Sequence, residues 1–451
     1  MKKLLSLVLA AAMLMSIAAG MTSALADEPI TLRFWGGVQP EYGYDTVQDT
    51  FNEQFKDEGI QVEYVRYVND NDGNLQLETY LMAGGEIDVF MGYGGTARLF
   101  PRVDSGLIMD MTDYFKAAGF DPIAELGEAA VAQYIYNDKY YAVPTKYENQ
   151  MYWFANADMF AEAGIELPYD GWTFSEFEAA CEKLTKGEGL DKVYGMYWAT
   201  KAFTDVTRSF ITNLNSPFGF YTDETCTASA FDKECMVASM DLMARTQANG
   251  WAPTYEEEVA DSLSLPTVFL EGKSAMVPGI SQIRIVKDTA TYPHDFTTAI
   301  IPAPVPDESY LADYATHSYI NGAGDLICVS NKTQHPDECM KFVLWYIQGG
   351  MAPLARGGRI PLWKGFDGDA VAAALADGAE GVFVPESIVN YMGIEKTKAQ
   401  NVLNMPKYAQ SEITTLLNET IESVLYGQVD AATGMAQLKT NADKLIENAT
   451  K

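Results

Sequence analysis

The chain has 451 residues, and 62 acidic against 31 basic residues give it a formal net charge of −31. Such a surface repels nucleic acid and anionic lipid and disfavours a polyanionic ligand. With 12% aromatic residues, the composition fits capture of a neutral solute and fits a secreted glycosidase equally well.

Lys2 and Lys3 precede an apolar run over residues 4–19, and Ala24-Leu25-Ala26 is a small-x-small cleavage site. This is the pattern of a secretory signal peptide. The run is shorter than the roughly 18–20 apolar residues that a membrane anchor needs. Removing residues 1–26 from 451 leaves 425, and the basic count falls from 31 to 29, so the net charge becomes −33 (29 − 62). A chain of that length predicts two lobes rather than one core. No cysteine stands beside the cut, so no lipid attachment is expected there.

Residues 30–35 alternate as a strand and run into Gly36-Gly37. The pattern predicts a helix over 45–55, a strand over 60–68, a helix over 75–82 and a short buried strand over 87–91. Strands alternating with helices mean an α/β lobe. Asn137-Asp138 between aromatic flanks predicts a hairpin over 136–141, and Val143-Pro144 closes an extended segment, because a residue before proline is held out of helix. A strand over 151–156 and a helix over 158–163 follow. Thr173 and Glu176 form a capping box, behind which Phe174, Phe177, Ala180, Cys181 and Leu184 share one helical face. Further on, the pattern predicts a strand over 193–198, helices over 202–214 and 234–247, and a strand over 296–301. Pro302, Pro304 and Pro306 stiffen the return, before a strand over 324–329, a helix over 337–348 and a helical tail over 407–446.

Five cysteines, Cys181, Cys226, Cys235, Cys328 and Cys339, leave at least one thiol unpaired. Cys226 and Cys235 are nearest in sequence, and Cys181 and Cys328 sit in apolar patterns. No metal-ligand spacing occurs, and His294, His317 and His335 are scattered. Gly92-Tyr93-Gly94-Gly95-Thr96-Ala97 satisfies a dinucleotide pattern but follows the third strand, in an exported chain, so it reads as a flexible turn. Gly272-Lys273-Ser274 imitates the end of a P-loop, yet Thr267 stands where the first glycine belongs. No cofactor is expected.

The run Tyr136-Asn137-x-Lys139-Tyr140-Tyr141-x-Val143-Pro144, then Asn156-x-Asp158-x-Phe160, Ala163-Gly164-Ile165 and the Trp172-capped helix, resembles extracellular solute-binding proteins of ABC importers. It is most similar to their large carbohydrate-binding group, family 1. Phe269-Leu270-Glu271-Gly272-Lys273-Ser274-Ala275-Met276, Gly357-Gly358-Arg359-Ile360-Pro361 and Leu425-Tyr426-Gly427 match the family's later phrasing. Relatives often place a stacking tryptophan where this chain has Ile280, and a proline where it has Ile87. The resemblance implies an α/β, two-lobe periplasmic-binding-protein fold (type II-like), with the ligand cleft between lobes joined by hinge crossings. The expected lobes are residues 27–146 with 303–350, and 147–302 with 351–451. Crossings are expected over residues 144–149, 302–306 and 349–353.

A sugar ring offers an apolar C–H face and a rim of hydroxyls, which aromatic platforms and polar side chains can read. Open α/β sheets place ligands at the carboxyl ends of their strands. On that rule Trp35, Tyr93, Tyr147, Glu148 and Trp198 are first candidates, with Asp88 beside them; Arg359 and Trp363 join through the glycine-proline turn. The reading is a monomeric, exported, periplasmic or cell-surface receptor without catalysis. It captures an oligosaccharide or other sugar, closes by hinge motion, and delivers the sugar to a membrane permease. A secreted carbohydrate-active enzyme and a receptor for a non-sugar solute are the alternatives.

Overall fold

The computed structural model describes residues 29–148, 152–199, 221–223, 225–279, 282–304, 322–392 and 408–451. The signal-peptide region, the helix expected over 202–214 and Ile280 lie outside them.

Two sheets organise the chain. In the first, β1 (Ile30–Gly36) runs parallel to β2 (Ile60–Arg66) and β3 (Val89–Gly92), while β8 (Gly322–Val329) runs antiparallel to β3 and to β4 (Ala142–Glu148). The order is β2-β1-β3-β8-β4. The second sheet sets β5 (Tyr152–Asn156) antiparallel to both β6 (Met276–Pro278) and β7 (Thr298–Pro302). The chain therefore passes from the first sheet to the second after Glu148 and returns between Pro302 and Gly322.

Strand side chains alternate between cores, as a period of two requires. Leu32, Phe34, Val89, Met91, Ile327 and Val329 enter one cluster, whereas Trp35, Phe90, Leu326 and Cys328 enter the cluster on the opposite face. In the second sheet Tyr152, Phe154 and Ile300 join the first of these, while Trp153, Ala155, Ala299 and Ile301 pack with Trp172, Phe174 and Phe177.

Helices form where the sequence places caps. After α1 (Tyr44–Gln54), α2 (Asn71–Ala83) begins earlier than its apolar pattern, because the Asp70 side chain accepts from the Gly73 amide at 2.8 Å. The Thr173–Glu176 capping box is present on α3 (Phe174–Leu184), and all five residues of its expected face are buried. α4 (Glu234–Ala248) and α5 (Ile283–Lys287) cover the second lobe, and α6 (Pro336–Trp345) follows β8. α6 is shorter than expected: the chain widens into a π turn over Tyr346–Gly350, where Gly349 adopts φ 122°. α7 (Gly368–Ala376) follows, and the tail divides into α8 (Gln410–Leu425) and α9 (Ala431–Thr450). Gly427 at φ 66° ends one helix, and the Asp430 cap on Thr433 begins the other.

Two expectations are modified. Residues 193–198 form no ladder: their bonds scatter, with Met196 donating to Trp251 O and Tyr197 to Met276 O. The hairpin is reduced to one bridge, Tyr136 with Lys139, around Asn137 and Asp138 at φ 51° and 59°. Among the thiols, Cys181, Cys328 and Cys339 are free and buried; the Cys235 side chain lies outside the described set.

Candidate functional site at the strand ends

β3 is parallel to β1, and β4 is antiparallel to β8, so four sequence-distant segments meet at one end of the first sheet. They are Trp35 to Val38 after β1, Gly92 to Gly94 after β3, Lys146 to Glu148 of β4 and Gly322 to Asp325 of β8. Residues 359–362 lie along β4: Tyr147 N donates to Ile360 O at 3.0 Å and Leu362 N to Thr145 O at 2.8 Å. Two glycines permit the crowding. A Cβ on Gly36 would lie 2.7 Å from the Tyr64 hydroxyl, and one on Gly37 would lie 2.9 Å from the Tyr93 ring.

Tyrosines tie the loops down. Tyr93 Oη accepts from Gly37 N at 3.0 Å, Tyr64 Oη donates to Val38 O at 2.6 Å, and Tyr67 Oη donates to Met91 O at 3.0 Å. Burial pushes the hydroxyls of Tyr44, Tyr64, Tyr67, Tyr93 and Tyr346 well above the ordinary range. They stay neutral, and Tyr64, Tyr67 and Tyr93 act as hydrogen-bond groups. Trp35 packs against Tyr80 and Tyr67, with ring centroids 5.1 and 6.5 Å away. It is 8% exposed, and its indole N–H is sealed without a partner.

An ion pair completes the cluster. Arg359 Nε donates to Asp325 Oδ2 at 2.8 Å, and Lys146 Nζ lies 3.9 Å from Asp325 Oδ1. Thr145 Oγ1 donates to Asp325 O at 2.8 Å and holds that residue at φ 49°. Burial weakens the hold of Arg359 on its proton, but Asp325, Tyr44 and Tyr93 more than offset this and raise its pKa.

Tyr93 and Arg359 thus interact, Tyr147 joins them through its backbone bond to Ile360, and the Glu148 backbone through its pairing with Gly322, while Trp35 stands at the same sheet end with its side chain in the cluster on the opposite face; the Glu148 side chain lies outside the described residues. Trp363 follows one residue beyond Leu362, which pairs with Thr145 further back along β4, and its Nε1 donates to Glu125 Oε2 at 2.9 Å. Asp88 and Trp198 stand elsewhere. Asp88 precedes β3 at the opposite end of the sheet, where Oδ2 accepts from Arg33 N at 2.9 Å and Oδ1 from Thr333 Oγ1 at 2.6 Å. Trp198 is 1% exposed, T-shaped to Trp153, and donates Nε1 to Thr246 Oγ1 at 2.6 Å, so its faces are used in the second lobe's core. Sequence reasoning missed Asp325, Lys146 and Tyr64. The signal for Asp325 is its place after Gly322-Ala323-Gly324, a flexible approach to a strand.

Among the described residues no group of His, Cys, Asp and Glu could hold a metal, and no helix is long and apolar enough to cross a membrane. Residues 46–376 match the family model for bacterial extracellular solute-binding proteins. The chain belongs to that family. Membership makes it an extracellular-type binding protein and fits the leader read at residues 1–26. Its fold is the two-lobe periplasmic-binding-protein fold, as solved structures agree. A sugar transporter from Rhizobium etli in an open conformation is 19% identical, with 91% of this chain and 99% of that one covered, at a TM-score of 0.70. A substrate-binding protein from Listeria monocytogenes in complex with cycloalternan is 18% identical over 92% and 98%, at 0.63. UgpB from Mycobacterium tuberculosis in complex with glycerophosphocholine is 16% identical over 93% and 98%, also at 0.63.

Proposed function

We propose that this solute-binding protein is the capture component of an ABC importer for a neutral sugar or oligosaccharide. The ligand enters between the lobes, the hinge closes on it, and the closed form meets a membrane permease. The protein works as an exported monomer held in a periplasm or at a cell surface, and it catalyses no reaction. The lobes comprise residues 27–146 with 303–350, and 147–302 with 351–451. Trp35, Tyr93, Tyr147, Glu148, Arg359 and Trp363 are the proposed ligand-binding residues, whereas Asp88, at the opposite end of the sheet, and Trp198, in the second lobe's core, serve the fold.

The observation that carries this reading is the pairing of an aromatic cluster with unspent polar groups at the strand ends. Tyr93 is the half-buried ring of a stack that continues through Tyr67 to the buried Trp35, whose N–H has no partner among the described residues. That is the mixture a pyranose needs. The test is a thermal-shift screen of the mature protein against mono- and oligosaccharides, with each sugar analysed afterwards for cleavage. A ligand at a hundredfold excess over its Kd stabilises by about 2.7 kcal/mol. Stabilisation with intact sugar supports the receptor, and cleaved sugar replaces it with an enzyme. One observation favours a second reading, a non-sugar solute: a fold neighbour was solved with glycerophosphocholine. A shift with that compound and with no sugar would select it.

A further inference from the structure

We propose that the Arg359–Asp325 couple is the specificity-determining element of this site and that it reads a vicinal diol on a neutral sugar. The inference rests on the sugar-receptor reading above and adds which part of the ligand is recognised, and by what.

Arginine carries five N–H donors in a rigid fork. In this chain Arg359 spends one side-chain donor, Nε, on Asp325 Oδ2. Its two terminal nitrogens make no hydrogen bond among the described residues, although the side chain is only 14% exposed. Asp325 is similarly half-used: Oδ2 accepts from Arg359, while among the described residues Oδ1 accepts no hydrogen bond and has only a 3.9 Å ionic approach from Lys146. These atoms are not among the fully sealed ones, so a ligand hydroxyl can reach them in place of water. The couple therefore presents unspent donors and an unspent acceptor side by side.

That combination selects among ligands. A hydroxyl both gives and takes a hydrogen bond, so adjacent hydroxyls can donate to Asp325 Oδ1 and accept from the Arg359 amino groups. A carboxylate or phosphate group satisfies the fork but sets its charge against Asp325, and an ionised oxygen has no proton to donate to Oδ1. An apolar ligand satisfies neither group. The couple is also held in place. Thr145 fixes the Asp325 backbone, Arg359 N donates to Leu354 O at 3.2 Å, and Ile360 is bonded to β4. A fixed geometry is what orientation-specific reading of hydroxyls requires.

The experiment uses the mature protein and a titration-calorimetry panel of maltotriose, cellotriose, xylotriose, raffinose and digalacturonate. The variants are Asp325→Asn, Arg359→Gln and the double variant, which removes both charges of the couple together. Melting temperature and circular dichroism establish that each is folded. The expected result is that a neutral member binds the wild type and loses roughly tenfold to a hundredfold in affinity in the folded double variant. A monodeoxy analogue of that sugar should lose a similar factor on the wild type and little more on the double variant, which a merely structural role would not produce. Affinity within twofold of wild type in the folded double variant overturns the proposal and leaves the sugar receptor standing. Preference for digalacturonate, which adds carboxylates to the same kind of hydroxyl pair, overturns the neutral-sugar part of the proposal, because Asp325 should repel that charge. No binding by any member to the wild type takes down both.

Discussion

Replacing Asp88 with alanine separates a structural carboxylate from a ligand-binding one. Its Oδ2 accepts from the Arg33 amide at 2.9 Å and its Oδ1 from the Thr333 hydroxyl at 2.6 Å. The residue thereby clamps β1 to the turn after β8, where Ser330 N also donates to Asp88 O at 2.8 Å. Hydrogen bonds to a charged acceptor contribute about 1.5–3 kcal/mol each. Asp88 is only partly buried, so the lower figure applies, and losing both bonds costs about 3 kcal/mol. At about 2–4 °C per kcal/mol for a lobe-sized unit, the melting temperature of Asp88→Ala should fall by roughly 6–12 °C. Ligand affinity should hardly change, because Asp88 lies four residues before Gly92, about 13 Å along the strand from the candidate site. Scanning calorimetry of the apo protein and titration of whichever sugar binds give both quantities. A variant melting within about 2 °C of wild type but binding at least tenfold more weakly would refute the assignment and put Asp88 in the cleft.

Trp198→Ala empties a core site between Trp153, Phe177 and Thr246, and should cost about 3–5 kcal/mol in urea unfolding with sugar affinity retained in the folded fraction. Trp35→Phe keeps an aromatic ring but removes the N–H, unpaired in this conformation, together with part of a buried indole. Apo stability should fall by about 1–3 kcal/mol from the cavity, while affinity in the folded protein falls roughly twofold to tenfold, the worth of one neutral hydrogen bond; unchanged affinity would mean no ligand atom ever pairs with it. Lys287 donates to Arg356 O at 3.1 Å and Leu375 O at 2.8 Å, and burial lowers its pKa from 10.5 to about 8. Below about pH 8 both folded and unfolded chains carry its charge, and the fold bears the cost of burying it. From there to pH 10.5 the unfolded chain binds the proton more tightly, so stability rises with pH. Measured against Lys287→Met, wild type should gain about 1–2 kcal/mol across that window, the shift being discounted because the side chain is partly open to solvent; a flat difference would refute it.

What could be read from the sequence was local or periodic. The capping box on α3 needs only Thr173 and Glu176 three residues apart, and the alternation in β1 needs only neighbours, so both were legible. The candidate site was legible as far as strand ends could be located: Trp35 and Tyr93 each follow or close an apolar strand before glycines. Asp88 was misplaced because it touches the same strand as Tyr93, and an apolar run of a few residues does not say which end opens on a cleft. Trp198 looked like Trp35 in sequence, and only Thr246, Trp153 and Phe177, brought in from distant segments, turn it into core. Asp325 was invisible for the same reason. Its partner Arg359 lies 34 residues away, and neither side chain carries a sequence mark of the other. Sequence reasoning therefore found the platforms, which single residues supply, and missed the polar couple, which exists only once β8 and residues 359–362 are both laid along β4. The proposed specificity element is thus a product of topology rather than of any motif, and on that proposal changes in β8 or in residues 354–362 should alter specificity without touching a recognisable signature.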